Sequence, residues 1–154
     1  KAHDINAIIV DSVLLAKKQA AFKDIDVRKD LTQDLPPLHL DKGQMQQVLI
    51  NLILNAIEST QAGGSIILHT SLSAGRRAVE ISVSDNGEGI PEDIIDKVFD
   101  PFFTTKEEGT GLGLAITHGI IEQHGGSIKA KRREQQGPSF IIKIPLGTDI
   151  TNGA

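Results

Sequence analysis

The stretch from Met45 to Ile57 reads Met-Gln-Gln-Val-Leu-Ile-Asn-Leu-Ile-Leu-Asn-Ala-Ile and is the most informative part of the 154-residue chain. Three of its polar residues, Gln47, Asn51 and Asn55, recur every four residues, which places them on one face of a mostly apolar helix. Asparagine is a mediocre helix former, and a solvated face would more naturally carry Lys or Glu. Taken alone, the polar seam has two interpretations. The amides either satisfy neighbouring backbone groups or hold a ligand.

A second segment, Asp85-Asn86-Gly87-Glu88-Gly89, follows a run of strand-like composition, so Asp85 should lie at the end of a strand with a turn directly after it. A carboxylate only accepts hydrogen bonds. Asp85 is therefore able to accept one from the exocyclic amine of adenine and would repel the carbonyl oxygen of guanine. Gly87 and Gly89 would let the backbone approach a flat ring. Taken alone, this segment is better explained as a loop turn.

A third segment, Gly109-Thr110-Gly111-Leu112-Gly113-Leu114, precedes a predicted helix. Backbone N–H groups at a helix start, together with the positive end of the helix dipole, suit phosphate oxygens. The segment is not a P-loop, since no Gly-Lys-Ser/Thr follows, and it is not a dinucleotide fingerprint, since no hydrophobic strand leads into it. By itself it is weak evidence for a phosphate site.

In order and spacing, the three segments resemble the motifs of the catalytic, ATP-binding domain of sensor histidine kinases, and the resemblance covers nearly the whole chain. The same superfamily holds gyrase, the large heat-shock chaperone and the mismatch-repair ATPase MutL. The stretch from Asn51 to Ala56 looks like the asparagine box of these kinases. The resemblance implies ATP and Mg²⁺ as cofactors. It also implies transfer of the γ-phosphate to a histidine on a separate dimerisation and phosphoacceptor domain, with a response regulator as further partner.

The resemblance also implies roles for residues of the polar helix. Asn55 would supply a carbonyl oxygen to Mg²⁺, a hard cation that prefers oxygen ligands. Ser59, one turn further on, would reach the nucleotide, whereas Glu58 stands where many relatives carry a basic residue, so one phosphate contact of the family is missing. Asn51 occupies the position at which hydrolytic members carry a water-activating glutamate. Because an amide cannot accept that proton, Asn51 favours transfer to an imidazole over hydrolysis.

A further resemblance concerns the stretch from Val98 to Lys106, which contains Phe99, Phe102 and Phe103. These residues either anchor a loop as a small apolar cluster or, as in the phenylalanine box of histidine kinases, position an ATP lid. We expect the segment from Phe103 to Gly111 to order when nucleotide binds. The implied nucleotide contacts, with Asn51 as catalytic residue and Asn55 also as metal ligand, are Asn55, Ser59, Asp85, Gly87, Gly89, Lys106, Thr110, Gly111, Leu112, Gly113, Leu114 and Ser139.

The fold class follows from the order of the predicted elements. Helices and strands are segregated, which predicts an α+β fold, a two-layer α/β sandwich with helices on one face of a mixed sheet, the fold of the histidine kinase ATPase domain. The predicted helices are Asp4 to about Phe22, Asp41 to about Gln61, Pro91 to Val98 and about Leu112 to His124. The predicted strands are Ile25 to Leu31, Ser65 to Leu72, Arg77 to Asp85, Ser127 to Arg133 and Ser139 to Pro145, the last two joined by a turn at Gln135-Gln136-Gly137. One domain is expected over residues 1–147, with a loose tail at 148–154.

Composition narrows the classes of partner. The net charge is −4 and the basic residues are mostly scattered, so no nucleic acid is expected. Without cysteine the chain suits a reducing compartment, and we expect a cytoplasmic domain. The longest apolar stretch, Val48 to Leu54, is too short to span a bilayer, and no segment has the pattern of a signal peptide. We therefore expect no direct membrane contact, and any membrane anchor of a parent receptor would lie outside this chain.

The phosphoacceptor motif of the family is a histidine followed by Glu, an apolar residue and, two places later, Pro. It does not occur around any of the five histidines, and His124-Gly125-Gly126 is interpreted as a helix end. We therefore expect the acceptor on another domain. Two alternatives are a serine kinase of the anti-sigma-factor type, which Asn51 and the Phe-Phe-Thr-Thr-Lys segment disfavour, and a non-enzymatic module that binds nucleotide or a partner, which the intact motifs disfavour.

Overall fold

The computed structural model describes residues 2–73, 75, 77–86, 113–133 and 136–146. Within these ranges the chain forms four α-helices and seven β-strands. In chain order they are β1 (Ala2–His3), α1 (Ile5–Leu15), α2 (Lys17–Phe22), β2 (Asp26–Asp30), β3 (Leu38–His39), α3 (Lys42–Ser59), β4 (Ser65–Leu72), β5 (Ala78–Asp85), α4 (Gly113–Gln123), β6 (Ser127–Arg133) and β7 (Gln136–Pro145). No helix in the described part of the chain is both long and apolar enough to cross a membrane.

Five of the strands form one sheet in the order β2-β4-β5-β7-β6. The pair β2 and β4 is parallel, and the other three pairs are antiparallel. The sheet therefore contains two crossover connections: α3 lies in the one between β2 and β4, and α4 lies in the one between β5 and β6, which run parallel on either side of β7. The short strands β1 and β3 pair separately. The sequence-based prediction of an α+β fold with a mixed sheet is confirmed.

The core lies between the helices and one face of the sheet. Along β5, Val79, Ile81 and Val83 are buried and alternate with half-buried residues, as expected for a strand with one covered face. Opposite them α3 buries a broad apolar face that includes Leu49, Leu52 and Ile53, all fully inaccessible. Because α3 packs against α1, α4, β4 and β5, it is the central element of the domain.

The boundaries of α3 follow from its flanking residues. The side chain of Asp41 accepts a hydrogen bond from the backbone N–H of Gln44 at 2.9 Å, which is an N-terminal cap. After the helix, Gly63 has a φ of +83°, a conformation that glycine adopts without strain. The predicted capping by Asp41 and the predicted end of the helix before the glycine pair are both confirmed, and so is the β4–β5 hairpin.

The N-terminal segment differs from the prediction, because one helix is expected and two are present. The break lies at Ala16, whose ψ of 3° is not helical. Within α1 the hydroxyl of Ser12 donates to the carbonyl oxygen of Ile8 at 2.8 Å, and the backbone N–H of Ala16 is shared between the carbonyls of Ser12 and Val13, both at 3.2 Å. A side chain that competes for carbonyls of the preceding turn bends or interrupts a helix.

The C-terminal hairpin also differs in detail. The prediction starts the last strand at Ser139, but β7 begins at Gln136, so Gln136 and Gly137 belong to the strand and not to the turn. The pairing of Arg133 with Gln136 follows a shift of register after Lys131, and such an irregularity lengthens the paired region beyond the regular strand pattern. The predicted helix Pro91 to Val98 and the tail lie outside the described residues.

Candidate functional site

The polar seam of α3 lies at the edge of its buried face. Asn51 and Asn55 are half-buried, as is Ser59 one turn further on, whereas Gln47 is exposed. The hydroxyl of Ser59 donates to the backbone carbonyl oxygen of Asn55 at 3.1 Å. The two amides are thus held at the boundary between core and solvent, which is where side chains are able both to be positioned by packing and to reach a ligand.

Asp85 is the last residue of β5 and is only 4% exposed. It follows Val83 at the strand period of two, so both side chains are on the face of the sheet that the helices cover. Its Cα partner on β4 is Ile66, which is fully buried on the same face. A carboxylate at the end of a central strand, on the same face as the core, can recognise a ligand that enters between this sheet edge and the helices.

One corner of the fold joins the end of α3 to the end of β5. A Cβ atom added to Gly64 would overlap the methyl group of Thr60 and lie 2.7 Å from the side-chain oxygen of Asn86. Thr60 directly follows Ser59, and Asn86 directly follows Asp85. Gly64 therefore allows these two chain segments to approach closely, and the approach brings the C-terminal turn of α3 to the strand end that carries Asp85.

The helix α4 packs against α3. Its C-terminal end is tied to the start of α3, because the imidazole Nε2 of His124 accepts a hydrogen bond from the backbone N–H of Asp41 at 3.0 Å. An 11-residue helix is about 16 Å long, and the same distance along α3 from Asp41 reaches the region of Asn51 and Asn55. We infer that the two helices run in opposite directions, which places the start of α4 at Gly113 towards the two asparagines.

Two elements that the sequence marks by polar motifs thus meet at one end of the sandwich, and the start of α4 is inferred to lie towards them. Comparison with known proteins identifies the family to which the chain belongs. The family model of histidine kinase-, DNA gyrase B- and HSP90-like ATPases matches residues 40–148. The chain belongs to this ATPase family. ATP is accordingly the nucleotide of the site.

Relatives place the chain among the catalytic domains of histidine kinases within the ATPase family. The sensor histidine kinase ZraS of Escherichia coli K12 is 42% identical over 146 residues, which make up 95% of this chain and 31% of ZraS. The catalytic domain of the histidine kinase ThkA is 38% identical, with a TM-score of 0.84 and 94% of both chains covered. The chain therefore spans less than a third of ZraS but nearly all of the ThkA catalytic domain.

Two larger structures are similar as well. Full-length ShkA in complex with AMPPNP is 30% identical with a TM-score of 0.86, over 98% of this chain and 32% of the ShkA chain. ThkA in complex with the response regulator TrrA is 34% identical with a TM-score of 0.82, over 96% of this chain and 42% of that chain.

One predicted nucleotide contact, Ser139, does not lie on the same face of the sheet as Asp85. Ser139 pairs with Ser84 across β5 and β7, and their hydroxyl oxygens are 2.9 Å apart. Directly opposed residues share one face of a sheet, and Ser84 and Asp85 are neighbours in a strand, so Ser139 lies on the face opposite to Asp85. The register of β7 decides this placement, and a register between distant strands has no local signal in the sequence.

Of the remaining predicted contacts, some lie within the described residues and the others lie outside them. Gly113 is the first residue of α4, and Leu114 is partly buried against the core. The others lie outside the described residues: Gly87, Gly89, Lys106, Thr110, Gly111 and Leu112, together with the three phenylalanines of the predicted lid.

Three residues have contacts that the sequence does not predict, two of them at this corner and one, His124, at the C-terminal end of α4. Asn86 has no predicted role beyond its motif, Thr60 falls at the predicted helix end, and His124 is predicted only to terminate a helix. The end of α4 at His124 is confirmed, since the φ of Gly125 is +74° and Gly126 donates to the carbonyl of Ile121 at 3.0 Å. The side-chain contact of His124 with Asp41 has no local signal, because the partner is 83 residues away.

Proposed function

We propose that this chain binds Mg·ATP and transfers the γ-phosphate to a histidine of a separate dimerisation and phosphoacceptor domain. The observation that carries the proposal is the meeting of the C-terminal turn of α3 with the end of β5 at one corner of an ATPase-family fold, and the start of α4 is inferred to lie towards that corner. The similar structure of full-length ShkA supports the proposal, because that protein is in complex with AMPPNP, an analogue of ATP.

Adenine recognition is assigned to Asp85. The carboxylate is buried at a strand end on the helix-covered face, so little bulk water competes with a ligand there. A buried acceptor binds the exocyclic amine of adenine and rejects the carbonyl oxygen of guanine, because that pairing would leave two acceptors facing each other. The site should therefore select ATP over GTP. Gly87 and Gly89 are proposed to line the same ring.

Phosphate and cation binding are assigned to α3 and to the start of α4. The amide oxygen of Asn55 is a hard ligand at the border of the core, and this donor fits Mg²⁺, which usually keeps several waters and takes few protein ligands besides the substrate phosphates. When bound, the ion would neutralise charge on the phosphates. Ser59, Lys106, Thr110, Gly111, Leu112, Gly113 and Leu114 are proposed as the further nucleotide contacts.

Transfer in this site depends mainly on position and charge. Phosphoryl transfer needs little covalent chemistry from the protein, and a neutral imidazole is already a competent nucleophile. Asn51 cannot act as a general base, since a carboxamide does not accept a proton at neutral pH. The residue therefore suits transfer to an incoming histidine better than activation of water. By analogy with the ThkA complex, a response regulator is proposed as the partner that later receives the phosphoryl group. A cytoplasmic location is proposed for the domain.

The decisive experiment mixes this chain with a separately produced dimerisation and phosphoacceptor domain and labelled ATP. Acid-labile label on the histidine of that domain supports the proposal. Acid-stable phosphoserine on an antagonist protein would indicate a serine kinase instead. Calorimetric binding of Mg·ATP without transfer to any acceptor would indicate a nucleotide-binding module, and absence of binding would refute the assignment of the site.

A further inference from the structure

The imidazole of His124 bridges two helices through both of its nitrogens. Nδ1 is 2.8 Å from the backbone carbonyl oxygen of Ile120 in α4, and Nε2 is 3.0 Å from the backbone nitrogen of Asp41. The side chain is half-buried. Asp41 is the N-cap of α3 and His124 directly follows α4, so the contact joins the C-terminal end of one helix to the N-cap of the other.

The two partners determine the protonation of the ring. A carbonyl oxygen only accepts, so Nδ1 must carry the hydrogen, and a backbone N–H only donates, so Nε2 must present a lone pair. The bridge therefore exists only for the neutral imidazole with the hydrogen on Nδ1. A phenylalanine would fill similar space without either hydrogen bond, whereas glutamine retains a carbonyl acceptor at similar reach.

The position of this bridge matters because both helices carry parts of the proposed nucleotide site at their other ends. The asparagines Asn51 and Asn55 lie on α3, and α4 begins at Gly113, within the glycine segment. The helix α4 is about 16 Å long, so a tilt of about 5° at His124 would displace its first turn by about 1.4 Å. A displacement of that size is large relative to the tolerance of a polar contact.

After His124, the chain has little freedom to compensate for a tilt of α4. Gly126 follows closely and packs so tightly that an added Cβ would overlap the carbonyl oxygen of Lys143 in β7. The C-terminal end of α4 is therefore held by the sheet on one side and by α3 on the other. The imidazole adds a polar contact to the packing of α4 against α3, whereas Gly126 ties the chain after α4 to β7.

We propose that His124 is a positioning residue that fixes the start of α4 relative to Asn55, so that both contact one Mg²⁺·triphosphate. This inference rests on the proposed function and concerns the part of the proposed site that binds the phosphates and Mg²⁺. Asp85, the proposed adenine contact, lies on β5, so adenine recognition should not depend on the hydrogen bonds of His124.

The test uses this chain and three variants, His124→Phe, His124→Gln and the control His69→Phe. His69 is on β4 and its side chain is 46% exposed. Binding of Mg·AMPPNP is measured by calorimetry and binding of adenosine by NMR. We expect His124→Phe to weaken Mg·AMPPNP binding about tenfold and to change adenosine binding by less than about twofold. His124→Gln should recover most of the loss, and His69→Phe should bind like the wild type.

Each other outcome has a defined meaning. Equal weakening of both ligands by His124→Phe would show a general structural role and overturn the inference, as would wild-type affinity for Mg·AMPPNP. Failure of the wild type to bind either ligand would remove the proposed function itself. A measurement that needs no variant is nitrogen-15 NMR of the wild-type imidazole, which should show a hydrogen on Nδ1 and a bare Nε2 at neutral pH. The opposite tautomer would overturn the bridge.

Discussion

The side-chain oxygen of Asn86 accepts a hydrogen bond from the backbone N–H of Ser65 at 3.0 Å. In return, the backbone N–H of Asn86 donates to the backbone carbonyl oxygen of Ser65 at 3.3 Å. The end of β5 is thereby fastened to the start of β4. Because Asp85 directly precedes Asn86, this double contact holds the backbone of the proposed adenine acceptor in place.

Removal of the hydrogen bond between the Asn86 side chain and Ser65 should lower the stability of the domain measurably. We expect Asn86→Ala to destabilise the domain by about 1 kcal/mol, since one backbone N–H loses its partner but remains near solvent. Asn86→Asp keeps an acceptor oxygen and should cost less. Urea denaturation of the two variants tests this, and an Asn86→Ala variant as stable as the wild type would contradict it.

Replacement of Gly64 should be costly for steric reasons. An added Cβ would overlap the methyl group of Thr60 and lie 2.9 Å from the carbonyl oxygen of Gln61, so Gly64→Ala requires backbone movement and should cost about 2 kcal/mol or more. Gly119→Ala is the matched control, because among the described residues no atom outside the backbone of α4 lies within 4 Å of the added Cβ and the position is helical. That change should stabilise the domain by up to about 1 kcal/mol. Thermal unfolding of both variants should therefore show shifts of opposite sign.

Two buried threonines should respond differently to valine. The hydroxyl of Thr117 is fully buried in α4 and has no hydrogen-bond partner within the described part of the chain, whereas the hydroxyl of Thr60 donates to the carbonyl of Ala56 at 2.6 Å. Thr117→Val should be neutral or stabilising by about 1 kcal/mol, because it removes an uncompensated polar group. Thr60→Val should destabilise by about 1 kcal/mol. Similar losses for the two variants, measured by chemical denaturation, would count against this difference.

Asn55 is expected to act through the cation. Asn55→Ala should weaken nucleotide binding in the presence of Mg²⁺ by about tenfold or more and have little effect in excess chelator. Asn55→Asp keeps an oxygen ligand and should retain Mg²⁺-dependent binding. Calorimetric titrations with and without Mg²⁺ provide the measurement, and equal loss under both conditions would exclude a role as metal ligand.

Asp85 is expected to act through the base. Asp85→Asn should lower the preference for ATP over GTP by about tenfold or more, because an amide is able to donate as well as accept. Glu80→Gln is the control, since Glu80 is on the same strand and on the opposite face. Competition titrations with both nucleotides provide the test. An unchanged preference in Asp85→Asn would show that the base is read elsewhere.

Much of this fold could be predicted from local patterns. The seam of Gln47, Asn51 and Asn55 at helical spacing, the capping residue Asp41 and the strand that ends at Asp85 are all identifiable in the sequence and are present in the structure. Such features depend on residues a few positions apart, which share backbone periodicity and compete for the same hydrogen bonds. The main error in the helices is the single N-terminal helix predicted where two are present. The hydroxyl of Ser12 competes for a backbone carbonyl just before the break at Ala16, and the apolar periodicity does not reveal this competition.

The sequence by itself determined which elements form, which of their faces are apolar and which residue types are available for a nucleotide. The tertiary structure alone decided which of these residues meet. His124 contacts Asp41 across 83 residues, and Ser139 lies on the far side of the sheet from Asp85 because of the register of β7. The physical reason is that a shift of one residue in strand pairing reverses every side chain, and that packing between distant segments depends on the whole core and not on neighbours in the chain.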